Sequence, residues 1–204
     1  MRQHSRARLF QLISCSMMAA LLGVLSLVAV PIPVSPVPVT LQTLGVLLAG
    51  GVLGPWWGSA SVVLYIALGV VGAPVFAGGE AGIGVLVGPK GGYLLGFVLA
   101  ALVMGIASAG SLRRASSGRS RPVLLVGGAI FASAAVYAGG VPWLGWVTGM
   151  GIGKAAFVGA LPYLLGDVLK AAAAVALLCA LHPALDKAGL GHVRGARPCA
   201  HRRR

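Results

Sequence analysis

The sequence predicts an all-α integral membrane protein, a single domain of six transmembrane helices with its N- and C-termini in the cytoplasm. Three observations carry this. Of 204 residues, 58% are hydrophobic and only 9% are charged, whereas a soluble domain carries roughly 25% charged residues. So little polar surface does not cover a globule of this size in water, and the same apolar content excludes intrinsic disorder. The apolar residues fall into six runs. The charge, +13 net from 16 Lys and Arg against three Asp and Glu, is confined mostly to short blocks between them.

The runs are Leu9–Val30, Thr40–Leu53, Trp57–Val71, Tyr93–Ser108, Val123–Gly139 and Pro162–Leu181. A spanning helix needs about 20 apolar residues, with about 17 as the lower limit. The second, third and fourth runs lie at or below that limit, so they hold only if packed against neighbours. The first run follows Arg2, Arg6 and Arg8 and has the look of a signal-peptide core. It is too long for one, and Val30-Pro31-Ile32-Pro33 lacks the small-residue cleavage site such peptides end in. The expected layout is a basic N-terminus over residues 1–8, a six-helix bundle over 9–182 and a basic tail over 183–204.

Lys and Arg accumulate on the cytoplasmic side of membrane proteins. Here they cluster at Arg2, Arg6 and Arg8, at Arg113, Arg114, Arg119 and Arg121, and at Lys187, Arg194, Arg197, Arg202, Arg203 and Arg204. An even number of spans puts all three blocks on one face. The blocks are topology signals that touch anionic lipid at most, and no nucleic-acid partner is expected. Trp56 and Trp57 fall in an inner turn and Trp143 and Trp146 in an outer connection, positions that suit an aromatic belt. Cys15, Cys179 and Cys199 form no Cys-x-x-Cys, and His4, His182, His192 and His201 have no metal-ligand spacing. The histidines are expected at the surface or at helix ends, and no metal or cofactor is expected.

The stretch Gly78-Gly79-Glu80-Ala81-Gly82-Ile83-Gly84, followed by Gly88-Pro89-Lys90-Gly91-Gly92-Tyr93, has neither dinucleotide-loop spacing nor a phosphate-cradling Gly-Lys-Ser/Thr. It suits either a lid that approaches a ligand closely or helix packing through small residues. The connection Pro31-Ile32-Pro33-Val34-Ser35-Pro36-Val37-Pro38-Val39 is expected to be extended, because proline fixes φ and lacks an N–H. Thr40, Gln42 and Thr43 then place polar groups at the outer start of the second run. Thr40 suits an N-cap; Gln42 suits a hydrogen bond to ligand or to a neighbouring helix.

The last run holds the sharpest feature. Asp167 and Lys170 sit three residues apart in Leu161-Pro162-Tyr163-Leu164-Leu165-Gly166-Asp167-Val168-Leu169-Lys170-Ala171 and so share a helix face. An ion at the bilayer centre costs about 2.5–3.5 kcal/mol, which marks such residues as a functional site unless they only lock helices together. A carboxylate accepts N–H donors and an ammonium binds a carboxylate, so the pair suits a small anion that also carries N–H groups. On the first run, Ser16 and Ala20, then Ala19 and Gly23, are small residues four apart, a surface for a close-packed helix from this chain or from a partner.

Four stretches together resemble the BioY-type biotin transporters, the substrate-specificity (S) components of energy-coupling factor (ECF) transporters. They are Pro36-Val37-Pro38-Val39-Thr40-Leu41-Gln42-Thr43-Leu44-Gly45-Val46, Gly72-Ala73-Pro74-Val75-Phe76-Ala77-Gly78-Gly79, Gly88-Pro89-Lys90-Gly91-Gly92-Tyr93-Leu94-Leu95-Gly96-Phe97 and Gly166-Asp167-Val168-Leu169-Lys170. The resemblance covers about residues 9–182. It implies a six-helix fold in the bacterial cell membrane that binds biotin at its outer side. The implied partners are a transmembrane coupling protein and two cytoplasmic ATPases, whose hydrolysis of ATP topples the S component. It further implies that Asp167, Lys170 and Tyr93 line the biotin site, that Thr40, Gln42 and Thr43 lie in a loop that closes over it, that Gly79 is a further ligand-binding residue, and that Ser16, Ala19, Ala20 and Gly23 dock on the coupling protein. The family often has Thr where this chain has Lys90, so Lys90 faces either the ligand carboxylate or solvent; Glu80 falls at a variable position.

A stand-alone secondary transporter for a small organic anion is the alternative, but such proteins commonly carry paired repeats, and the halves of this chain do not match. An intramembrane enzyme needs a nucleophile with a base or a metal with ligands. No Gly-x-Ser-x-Gly or His-Glu-x-x-His occurs, and no His lies near Asp167. The chain is therefore not expected to be an enzyme.

Overall fold

The computed structural model describes residues 2–33, 35–113 and 120–187. In chain order the elements are α1 (Arg2–Leu27), β1 (Ala29–Ile32), β2 (Ser35–Thr40), α2 (Gln42–Val71), α3 (Ile83–Val87), α4 (Gly91–Arg113), α5 (Ser120–Thr148), α6 (Ile152–Gly159) and α7 (Leu161–Lys187). A backbone in hydrocarbon has no water to bond, and a helix satisfies its groups within the segment. The long apolar runs are accordingly helical. The basic residues Arg114 and Arg119, and all those beyond Lys187, lie outside the described residues, as do Cys199, His192 and His201.

Six spanning helices were expected. Among the described residues there are seven helices, and five of them, α1, α2, α4, α5 and α7, are long and apolar enough to cross a membrane. Two causes account for the difference. The short α3 and α6 fall outside the long apolar runs, and the second and third runs are parts of one element, α2.

That element is broken. At Gly54 the backbone leaves the helix with φ 82° and ψ −178°, a left-handed φ that glycine adopts readily, and Pro55 follows. The chain then doubles back: Gln42 Nε2 donates to the Tyr65 hydroxyl at 2.5 Å, although a straight helix would hold these residues roughly 35 Å apart. The halves, 42–53 and 55–71, are each at or below the spanning length of about 17–25 residues.

The break leaves a debt that the neighbouring helices settle. In a regular helix the Gly51 carbonyl would accept the N–H of residue 55, and proline has none. Ser108 of α4 donates its hydroxyl to that carbonyl at 2.7 Å, and His182 Nε2 of α7 lies 3.2 Å from it. His182, expected at the surface or a helix end, is therefore buried in the fold.

Apolar runs also understate helix length. The fourth run, Tyr93–Ser108, is part of a 23-residue α4, and the fifth continues through Pro142 to Thr148. α4 packs tightly on both sides. A Cβ on Gly96 would lie 2.9 Å from the Val136 backbone of α5, and one on Gly105 would strike the backbone at Gly54 and Pro55. Small residues let helices approach this closely without a hydrophobic driving force between them. Leu22, Leu47, Tyr65, Phe76, Met104 and Leu178 fill the core between α1, α2, α4 and α7.

The proline-rich connection is folded back on itself. β1 and β2 pair antiparallel, with Ala29 opposite Thr40, Val30 opposite Val39 and Ile32 opposite Ser35, and an irregularity between Val30 and Ile32. A two-stranded ribbon is all edge, the setting in which strands tolerate proline. The hairpin covers the end of the bundle where α2, α4 and α7 begin. The opposite end carries the Gly54 break, beside which Phe10 of α1 and Leu185 of α7 share an apolar groove with Leu53.

Candidate ligand-binding site

Under the hairpin lies a cavity with an open mouth. Val37, Pro38 and Thr40 of β2, Gln42 and Thr43 of α2, and Tyr93 and Phe97 of α4 form part of its wall. Tyr137 of α5 and Tyr163, Asp167 and Lys170 of α7 complete the polar side, while Phe76 and Lys90 enter from the loops. Elements spread over most of the chain thus converge on one volume.

Seven of the residues singled out by sequence line this cavity: Thr40, Gln42, Thr43, Lys90, Tyr93, Asp167 and Lys170. Gly79 does not. It sits in a turn with φ 81°, its N–H donating to the Phe76 carbonyl at 2.8 Å, and so shapes the loop beside the cavity. Thr40 is not the N-cap of α2, a position taken by Leu41. Its hydroxyl instead donates to Gln42 Oε1 at 3.0 Å and accepts the Gln42 N–H at 3.3 Å. Gln42 is thereby held from both sides, by Thr40 and by Tyr65, and stays buried in register with the cavity.

Lys170 Nζ donates to Asp167 Oδ1 at 2.9 Å, and both side chains are 10% exposed. The Tyr137 hydroxyl donates to the other carboxylate oxygen, Oδ2. Removing one partner of such a buried pair costs about 3–5 kcal/mol, because the other charge is left uncompensated. Lys90 and Glu80 also pair, at 2.6 Å, but with side chains 19% and 48% exposed. Pairs open to solvent contribute about 0–1 kcal/mol.

Sequence reasoning singled out Tyr93 but missed Tyr65, Tyr137 and Tyr163. All four in the chain have buried or half-buried hydroxyl contacts. Tyr65 accepts from Gln42, and Tyr93 donates to the Gly159 carbonyl at 2.7 Å. Tyr137 donates to Asp167, and Tyr163 contacts Ser35 Oγ at 2.7 Å and donates to the Val37 carbonyl. Tyr163 thus ties the cover strand β2 to the helix that carries Asp167. The available signal was a rare polar-tipped aromatic within or beside an apolar run, a weak one because tyrosine also marks membrane interfaces. Trp143, expected in the belt, donates its indole N–H to the Gly88 carbonyl at 2.9 Å and braces the loop before α4. Trp56 and Trp146 are exposed.

Of the four small residues on α1, Ser16 and Ala20 are exposed, whereas Ala19 and Gly23 are buried within this chain. Gly23 packs on Val75. The two i,i+4 pairs lie on different faces, which is why they do not form one surface.

Tyr65→Phe is expected to lower the thermal midpoint in detergent by several degrees. It leaves the buried Gln42 amide without its acceptor, at about 1–3 kcal/mol, and each kcal/mol shifts a chain of this length by about 2–4 °C. A midpoint unchanged from wild type in a thermal-shift assay would count against this bond as a strut of the site.

The chain matches the BioY family over residues 1–187. The chain belongs to that family. The biotin transporter BioY of Rhizobium etli is 37% identical over 147 residues, covering 70% of this chain and 76% of the relative. A probable biotin transporter BioY of Bacillus subtilis is 37% identical over 152 residues, 74% of this chain and 78% of the relative. Among solved structures, the S-component for biotin from an ECF-type ABC transporter superposes with a TM-score of 0.76 at 27% identity, covering 86% of this chain and 92% of that one. The BioY assignment and the apolar helices make this a multi-pass membrane protein.

Proposed function

We propose that this BioY-family chain is the biotin-capturing subunit of an ATP-driven uptake transporter in a bacterial cell membrane. The observation that carries the reading is the convergence of the Asp167–Lys170 pair, Gln42, Thr40, Thr43, Tyr93 and Lys90 on one cavity at one end of the bundle. Biotin has ureido N–H groups, an apolar body and a carboxylate. Asp167 and the Gln42 carbonyl oxygen are acceptors for N–H groups, Phe76, Phe97 and Val37 pack the apolar part, and the cavity's two ammonium groups offset the two carboxylates, the ligand's and that of Asp167. The positive-inside distribution of Lys and Arg supports cytoplasmic termini. The cavity then opens outward, because α1 begins and α7 ends at the far side of the bundle.

The chain carries no phosphate-binding loop, so ATP hydrolysis belongs to partner subunits, a transmembrane coupling protein and two cytoplasmic ATPases. The exposed face of α1 around Ser16 and Ala20 is the docking surface assigned to the coupling protein; Ala19 and Gly23 serve the internal packing. Titration of biotin into the purified chain is expected to saturate at about one per chain, and no detectable binding by calorimetry would overturn the reading. Ala20→Leu is expected to reduce co-purification with a co-expressed coupling module at least several-fold. Undiminished association would remove this face from the docking surface.

A further inference from the structure

The cavity holds two cations, Lys90 and Lys170, and one acid, Asp167. A ligand bearing one carboxylate needs a cation whose present partner can leave. The Lys170–Asp167 pair is poorly suited to release. Both side chains are 10% exposed, and the Asp167 carboxylate is also held by the Tyr137 hydroxyl, so separating them strands a buried charge. The Lys90–Glu80 pair is the opposite case. Glu80 is 48% exposed, does not line the cavity, and regains water when it lets go.

The backbone around Glu80 keeps the rest of its loop in place during such an exchange. Phe76 N–H donates to the Glu80 carbonyl at 3.0 Å, and Ser26 of α1 donates its hydroxyl to the Val75 carbonyl at 2.5 Å. Phe76 itself is buried against Tyr65, ring centroids 5.7 Å apart. Only the Glu80 side chain has to move. Lys90 sits between Gly88 and the start of α4, where its carbonyl accepts the Tyr93 N–H at 3.1 Å, so its ammonium is displayed from a fixed base at the rim.

From this asymmetry we infer that Glu80 is an exchangeable counterion occupying, on Lys90, the place of the ligand's carboxylate, and that Lys90 is the residue that reads that carboxylate. Lys170 stays paired with Asp167 throughout. The consequence is specificity for the acid over neutral derivatives, with Glu80 as an intramolecular competitor that weakens binding. The inference rests on the biotin reading above.

The test compares biotin with its methyl ester on the purified full chain, by calorimetric or radioligand titration. The readout is the ratio of the ester's Kd to the acid's. Wild type is expected to favour the acid at least tenfold. Lys90→Met is expected to collapse that preference at least tenfold, and Lys90→Arg to retain most of it, which shows that the rim still folds when a cation is present. Glu80→Gln is expected to raise affinity for the acid about two- to five-fold and to leave the ester's where it was. A Lys90→Met chain that keeps the preference overturns the assignment. So does a Glu80→Gln chain that loses acid affinity as Lys90→Met does, since Glu80 would then be positioning Lys90. Equal wild-type binding of acid and ester defeats this inference alone, whereas binding of neither defeats the biotin reading itself.

Discussion

Asp167→Asn is expected to weaken biotin binding by roughly 30-fold to several-thousand-fold. Truncating one member of a buried, hydrogen-bonded charge pair at an interface costs about 2–5 kcal/mol, and each 1.4 kcal/mol is tenfold in Kd. The amide keeps the shape of the side chain but offers one acceptor oxygen where the carboxylate offers two. Lys170 Nζ and the Tyr137 hydroxyl now occupy separate oxygens, Oδ1 and Oδ2, so in the variant one of these donors, or the ligand's N–H, goes without. Lys170→Met is expected to act in the same direction by leaving the carboxylate against apolar helix surface. Titration of each variant beside wild type decides the matter; full affinity in both would detach the pair from the ligand.

Gly96→Leu is expected to abolish both recovery of folded chain and biotin binding. The Cβ itself, not a rotatable tip, would sit 2.9 Å from the Val136 backbone, so no rotamer relieves the clash and α4 has to separate from α5. Overpacking of this kind costs about 1–3 kcal/mol or more. The separation also carries Tyr93 on α4 away from Tyr137 on α5, which dismantles two sides of the cavity. Gly84→Leu is the matched control, because a Cβ there meets nothing within 4 Å. Monodispersity on size exclusion and biotin titration read the comparison. A Gly96→Leu chain that purifies and binds as the control does would show that the α4–α5 contact is not needed for the site.

The polar half of the site was legible in the sequence for one physical reason. Asp167, Lys170, Gln42 and Thr43 are costly in an apolar run, so their presence there is information. Tyr137 and Tyr163 carried no such alarm, because an aromatic with a polar tip is at home in either a core or an interface. Hydropathy located the helices but not their ends: α4 and α5 keep their backbone bonds beyond the apolar stretch. The count of spans turns on α2, where the two runs that a hydropathy profile separates are the two arms of one broken element that doubles back at Gly54. Four small residues on α1 looked like a single motif, but a helical repeat of 3.6 residues puts Ala19 and Ala20 about 100° apart, and burial chose between them.

The capped carbonyl of Gly51 bears on how the protein is made. The group lacks its own helical partner from the moment Pro55 is polymerised, yet the side chains that lie against it arrive late. Ser108 is translated some fifty residues afterwards, and His182 near the end of the described chain. An unsatisfied carbonyl in hydrocarbon costs several kcal/mol, so the α2 hairpin is a poor candidate for release into lipid on its own. The favourable course is for it to wait in a hydrated setting at the insertion machinery until α4 docks, with α7 sealing the turn and delivering Asp167 and Lys170 in one movement. Ribosome-stalled chains ending before and after residue 108 would differ in how readily the hairpin is extracted by alkali, which makes the timing of membrane entry a measurable property of a single proline.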